Sequence, residues 1–218
     1  MLKKNQIIQV TIEDMNHLGY GVCHIDGMAV FVRGGVSADV AEIKIIKVLK
    51  SYGVAILHRI VQPSAYRLPD PCPVHSACGG CAFAHIDYEY EKVLKGRFVE
   101  AELLKAGMNH IKVQPISALP RCERYRNKIQ LPFGPDGRLG YYAPKSHRTV
   151  CCDAGCRLHP EIFDEIAATV SDYVRQKALS IYDEKTGHGL LRHLYLRMGR
   201  QTGEIMACLV INGNKLPE

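Results

Sequence analysis

The sequence lacks the features that would place it in a membrane or outside the cell. Residues 1–6 contain no apolar run of signal-peptide length, and no stretch of about eighteen apolar residues occurs anywhere. We therefore expect a cytoplasmic protein with no membrane partner. In a reducing compartment its nine cysteines should be thiols or metal ligands rather than disulfides.

Other absences concern repeats and cofactor loops. The chain has no internal repeat, no low-complexity segment and no strand followed by a glycine loop suited to an adenosyl cofactor, since residues 199–203 are typical of a hairpin turn. Residues 212–218 show no pattern that closes a domain, which suggests a longer protein. The formal charge of +6 permits a polyanionic partner but does not require one.

Short strands are predicted throughout residues 1–61. Residues 8–12 alternate apolar and polar side chains, and Asp26-Gly27 is a hairpin signal before the apolar run 28–32. Two further strand-like runs follow. Five short strands with glycine corners predict a small OB-like β-barrel over 1–61.

The rest of the chain divides at a proline-rich boundary. Residues 62–85 read as a linker and a cysteine-rich loop, and residues 86–110 as a helix that Asp87 could cap. Residues 111–218 predict an α+β central domain. The apolar positions of the helix that fit one face are Tyr90, Val93, Leu94, Ala101 and Leu104.

The cysteines are the most informative feature. Cys72, Cys78 and Cys81 can gather around one point if a loop folds them together, and two glycines after Cys78 give that loop freedom. Three thiolates need a fourth ligand, for which Cys151, Cys152 and Cys156 are the candidates. Cys23, Cys122 and Cys208 stand alone and suggest small core residues.

Two metals compete for this site. Zinc sites pair cysteines at spacings of two to four residues, which the first spacing here exceeds. An iron–sulfur cluster tolerates one distant cysteine. The pattern favours a cluster over zinc, and over buried thiols without a metal.

Several ordered motifs resemble the RNA uracil-5-methyltransferase family. The run from Cys72 to Cys81, with His85 and Tyr88 behind it, is similar to the cluster motif of that family, and residues 1–61 resemble the TRAM domain, an OB-like RNA-binding barrel. Later matches follow in the family's order, at residues 125–128, 140–142, 146–147 and 189–193.

The resemblance implies a 4Fe-4S cluster on Cys72, Cys78, Cys81 and Cys156, with Cys152 as the substitute for the last. It also implies methylation of carbon 5 of uracil in RNA, with S-adenosylmethionine as methyl donor and with 23S rRNA as the expected substrate of a TRAM-bearing member. In the family a cysteine adds to carbon 6 of the base within a doubly wound domain. We find no such Rossmann-like domain here, and expect an N-terminal fragment that is inactive alone.

Basic side chains suggest where RNA binds. Arg124, Arg126 and Lys128 alternate along a predicted strand beside Tyr125, so the three cations could share one face. A second basic turn carries Lys145 and His147. A solvated strand face is the structural alternative for each group.

The helix at 86–110 has a further consequence. In the family it packs on the catalytic domain, so its apolar face would be uncovered in a fragment and could mediate self-association near 87–106. Two other functional classes stay open: a stand-alone RNA-binding scaffold with a structural metal, and a radical-type modifying enzyme, which would need a tighter three-cysteine motif.

Overall fold

The computed structural model describes residues 2–69, 72–151 and 154–217, which divide into two compact units. The first unit comprises residues 1–71 and 82–120, and the second comprises residues 72–81 and 121–218. The segment 62–85, predicted to be one linker and loop, is therefore shared between the units. No helix within the described part of the chain is long and apolar enough to cross a bilayer.

The first unit contains one six-stranded sheet, where five strands were predicted. The order across the sheet is β1-β5-β6-β4-β3-β2, and all neighbours are antiparallel except β4 and β6. The strands are β1 (Ile7–Thr11), β2 (Asp14–Met15), β3 (Tyr20–Ile25), β4 (Met28–Arg33), β5 (Val40–Val48) and β6 (Tyr52–Gln62).

The two edges of this sheet meet in one bent segment. Between β1 at one edge and β2 at the other lie only Ile12 and Glu13. The Ile12 amide donates to the Asp39 carbonyl and the Glu13 amide to the Val22 carbonyl, each at 2.8 Å. The segment thus closes the sheet into a barrel, because it bonds to both sides. The barrel core is apolar and includes Ile12, Val30, Val32, Ile43 and Ile45.

A buried ion pair fixes the chain as it leaves the barrel. Asp39 is fully buried, and its carboxylate lies 2.5 Å from the guanidinium of Arg67, whose side chain is 11% exposed. The same carboxylate accepts hydrogen bonds from the amides of Val36 at 2.8 Å and Ser64 at 2.9 Å. The segment after β6 is therefore held against the barrel by a charged anchor.

Helix α1 (Tyr88–Lys105) packs on the barrel within the first unit. The Asp87 carboxylate caps its start by accepting from the Tyr90 amide at 3.0 Å. Tyr90 and Leu94 are buried in a cluster with Met15, Val36 and Ile86. The predicted apolar face is therefore only half covered, since Val93 is 56% and Leu104 is 64% exposed.

The second unit pairs a three-stranded antiparallel sheet, in the order β11-β10-β7, with a helix and a small hairpin, β8-β9. Apolar residues of the sheet and helix, among them Phe163, Leu194 and Leu196, form one core. The elements are β7 (Lys128–Pro132), β8 (Tyr141–Tyr142), β9 (Thr149–Val150), α2 (Glu161–Gln176), β10 (Leu191–Met198) and β11 (Ile205–Ile211).

One strand prediction was wrong in this unit. Arg124 and Arg126 do not lie on a strand with Lys128, because β7 begins only at Lys128. Arg124 has a left-handed backbone with φ of 55°, which is incompatible with an extended chain. The amides of Arg124 and Arg126 instead donate to the carbonyls of Arg157 and Leu158, at 2.8 and 2.9 Å.

Candidate metal centre

The cysteine loop, residues 72–81, folds through a tight turn. The Val74 carbonyl accepts hydrogen bonds from the amides of Ala77 at 3.0 Å and Cys78 at 2.8 Å, and the Cys72 carbonyl accepts from His75 at 2.9 Å. These local bonds reverse the chain between Cys72 and Cys78. This turn shortens the path between the first two predicted ligands.

Two glycines then bring the cysteine loop against the β8 strand. The Gly79 amide donates to the Tyr142 carbonyl at 2.9 Å, and a Cβ at position 79 would lie 2.7 Å from that oxygen. Only glycine fits such an approach without a shift of the backbone. The Gly80 amide donates to the Cys78 sulfur at 3.3 Å, a bond that favours the thiolate.

Cys156 is positioned at the entrance to α2 by residues that the sequence did not single out for this role. Its amide donates to the Asp164 carboxylate, with both oxygens at 3.3 Å. The Arg124 guanidinium donates to the carbonyl of Cys156, and also to the His159 carbonyl and the Glu161 carboxylate, each at 2.9 Å. Arg124 therefore holds the turn that carries Cys156.

The four predicted ligands share one electrostatic environment. Burial raises the pKa of Cys81 to about 12, and nearby Cys156, Cys78 and Cys72 contribute to that rise. Burial likewise raises the pKa values of Cys78 and Cys156, to which Cys72 adds in both cases. The charge on one thiolate raises the pKa of another thiol only over a short distance. The fold therefore places Cys156 in the same neighbourhood as the other three thiols.

A single-ion site and a polyatomic cluster make different demands on the spacing of thiols. Among the described residues, no three His, Cys, Asp or Glu side chains are arranged to hold a single metal ion. Thiolates bound to one tetrahedral zinc at 2.3 Å would lie roughly 3.8 Å apart. A polyatomic cluster separates its ligands more widely. All four predicted ligands are half-buried.

Arg126 supplies a positive charge beside the thiols. The residue is half-buried, and its charge opposes the rise in the pKa of Cys81. Burial also raises the pKa of Tyr141, another neighbour of Arg126 and Cys156. A cation at this position would balance part of the negative charge of a thiolate-ligated cluster.

The remaining cysteines divide into three groups. Cys23 is buried, as predicted for a core residue, whereas Cys122 and Cys208 are exposed and that prediction was wrong for both. Cys151 is half-buried. Cys152, the alternative fourth ligand, lies outside the described residues.

The side chains predicted to bind RNA are spread over the surface of the second unit. Tyr125 is 42% exposed. Lys128 is exposed at the start of β7, paired in register with Arg197 of β10. Lys145 and His147 are exposed between β8 and β9, whereas Arg124 already binds the Cys156 turn.

Comparisons with known proteins relate this geometry to a family. The TRAM domain model matches residues 2–57. Over 99% of its length the chain is 36% identical to a protein of Clostridium tetani named as an uncharacterized RNA methyltransferase, and 37% identical to one of Gloeobacter violaceus with the same description. The chain is related to RNA methyltransferases. This relationship, expected from the motifs, is confirmed.

The alignment covers only part of each relative. The chain spans about half of their length, 47% and 48% in the two cases. A solved structure, the Pyrococcus abyssi tRNA (uracil-54, C5)-methyltransferase with S-adenosyl-L-homocysteine, shares the fold with a TM-score of 0.75. At 24% identity the match covers 96% of this chain and 47% of that one.

Two expectations are corrected by these comparisons. We expected that the Rossmann-like domain is absent from this chain and that the chain alone is an inactive fragment. Both are contradicted, because RNA methyltransferases align with 99% of the chain and a methyltransferase structure with 96% of it. These expectations came from the apparent lack of a cofactor loop and from the pattern of residues 212–218.

Proposed function

We propose that this chain acts in the transfer of a methyl group from S-adenosylmethionine to carbon 5 of a uracil in RNA. The observation that carries the proposal is the similarity of the whole chain to proteins named RNA methyltransferases. The uracil specificity is supported by the motifs named above, and by the activity for which the Pyrococcus abyssi protein of the same fold is named. A cytoplasmic location, where RNA and free thiols are found, belongs to the same proposal.

RNA is the proposed partner, held by both units. The TRAM barrel supports this for the first unit, and the exposed residues Tyr125, Lys128, Lys145 and His147 for the second. Cations contact phosphates and exposed rings can stack on unpaired bases. We propose 23S rRNA as the substrate, with tRNA as the alternative that the assay must separate.

We further propose that Cys72, Cys78, Cys81 and Cys156 bind a 4Fe-4S cluster. The support is their common electrostatic environment, the amide of Gly80 on the Cys78 sulfur and the positive charge of Arg126 nearby. Bound there, the cluster would supply four metal–thiolate bonds that cross-link the cysteine loop to the start of α2. Its proposed role is structural, since methyl transfer needs no electron.

Metal content tests the cluster. After anaerobic reconstitution with iron and sulfide, the protein should be brown and contain about four irons and four sulfides per chain. Cys156→Ser should lower the iron content strongly, while Cys208→Ser, an exposed cysteine outside the site, should leave it unchanged. A colourless protein with one zinc per chain would refute the cluster, and full iron loading of Cys156→Ser would refute this fourth ligand.

Tritium release tests the reaction. RNA transcripts labelled with tritium at carbon 5 of uracil lose the label when a methyl group replaces it, so the protein and S-adenosylmethionine should release tritium to water. Release from 23S rRNA but not from tRNA supports the full proposal, and the reverse preference refutes the choice of substrate. Methylated RNA that keeps its tritium would exclude carbon 5.

A further inference from the structure

The second unit also contains a cleft lined by residues other than the four predicted ligands. A cleft of about 650 Å³ opens between the β8-β9 hairpin and the segment before β10. This volume is in the range of sites for small organic ligands. Its wall contains both rings and cations: Tyr142, His147, Arg148, Tyr182, Arg192 and His193.

Tyr142 presents a fixed ring at the centre of this wall. Its ring centroid lies 5.2 Å from that of His147, at 32°, and 6.5 Å from that of His193, at 89°. The Tyr142 hydroxyl lies 3.4 Å from Nε2 of His193, and its backbone carbonyl accepts the Gly79 amide. A ring that these contacts already fix needs little further ordering when a flat ligand stacks on it.

A second aromatic surface is formed by Tyr182 and Arg192. The Arg192 guanidinium lies 4.4 Å from the centroid of the Tyr182 ring, and it pairs with the Glu184 carboxylate at 2.8 Å. Glu184 therefore neutralises Arg192 and fixes it over the ring. The wall thus offers planar donors that can face the polar edge of a base.

Two further cations line this cleft. Arg148 and Lys185 line the cleft, are exposed, and make no ion pair with any residue in the ranges that the structure describes. The cleft also contains Asp183, whose carboxylate accepts the Lys185 amide at 2.8 Å. With Glu184 occupied by Arg192, the charge left over is positive, which suits a phosphate.

We propose that this cleft binds one unstacked nucleotide of a single-stranded RNA, with the base on the Tyr142 ring and a phosphate on Arg148 or Lys185. Interleaved aromatic and basic side chains are the combination that single strands require, because every base has a stacking face and every phosphate a charge. The proposal rests on the proposed RNA function. It deepens that function by assigning a binding site to a base that is not stacked on its RNA neighbours.

Fluorescence and affinity test the cleft on the full chain. The ligand is a ten-nucleotide single-stranded RNA carrying one 2-aminopurine, whose fluorescence falls on stacking. The unchanged protein should bind it and quench it. Tyr142→Leu should raise Kd about tenfold or more and abolish the quenching, in line with the loss of one stacked base. Tyr173→Leu, a half-buried tyrosine on α2 outside the cleft, is the matched control.

A second variant, at an exposed cation, tests the cleft even if the tyrosine variant fails to fold. Arg148→Gln should lower the salt dependence of binding by about one phosphate contact, whereas Lys215→Gln, exposed and outside the cleft, should not. If both cleft variants still bind the RNA and quench its fluorescence, the proposal that the cleft binds a nucleotide is refuted, and the proposed RNA function is not. No RNA binding by the unchanged protein would overturn both.

Discussion

Replacement of Asp39 by alanine should strongly destabilise the barrel of the first unit. The carboxylate is fully buried and accepts four hydrogen bonds: from Nε of Arg67 at 3.1 Å, from Nη2 of Arg67 at 2.5 Å, and from the amides of Val36 and Ser64. Without it, a guanidinium that is 11% exposed loses its counter-charge and two amides lose their acceptor.

The magnitude follows from the burial of both partners. Removal of one member of a buried ion pair costs about 3–5 kcal/mol, since the remaining charge stays desolvated. The control is Glu42→Ala on β5, which also breaks a two-bond contact with an arginine, at 2.6 and 3.2 Å. Because Arg59 is 63% exposed, that change should cost no more than about 1 kcal/mol.

Hydrogen exchange measured by mass spectrometry suits this comparison, because the chain has two units and one unfolding midpoint would mix them. Amides of β4 and β5 should exchange on the order of 100-fold faster or more in Asp39→Ala, and those of β7 and β10 should be unchanged. Equal exchange in Asp39→Ala and Glu42→Ala would refute the claim that burial makes the Asp39 pair the stronger anchor.

Three further predictions concern the site, acid stability and association. Arg124→Ala should speed iron loss after reconstitution, because the turn that carries the fourth ligand loses its donors, whereas Arg121→Ala, exposed, should not. Burial lowers the pKa of His159 from its usual 6.5, so as the pH falls the unfolded state takes up a proton before the folded state does. The free energy of unfolding should therefore decrease as the pH is lowered from about 6.5. Urea titrations at several pH values should show this decrease in the unchanged protein and not in His159→Phe. Val93→Ser with Leu104→Ser should abolish any dimer seen by sedimentation, and an unchanged dimer would contradict the predicted self-association through α1.

The sequence predicts well what depends on local rules. The alternation in β1 and the turn at Asp26-Gly27 indicate the barrel strands, and Asp87 caps α1 as expected because an N-cap involves neighbours in sequence. The closure of the barrel was harder to predict. It depends on Ile12 and Glu13 bonding to two distant strands at once.

The failures come from contacts between distant parts of the chain. The alternation of Arg124, Arg126 and Lys128 imitates a strand, yet the first two amides pair with residues 157 and 158, which no local pattern shows. The apolar face of α1 is read correctly as apolar, but the barrel covers only Tyr90 and Leu94. Cys208 reads as a core residue, although it lies on the exposed face of an edge strand.

The division of the chain explains why a metal would be useful at the cysteines. The cysteine loop belongs to the second unit, but the 39 residues from 82 to 120 that follow it belong to the first. The loop must therefore be held to its own unit by non-local contacts, such as the Gly79 bond to Tyr142. A cluster joining Cys72 to Cys156 would close a chain loop of about 85 residues, and by analogy with a disulfide this adds about 4–5 kcal/mol. That gain is similar to the whole stability of a small domain, which favours a structural role for the cluster.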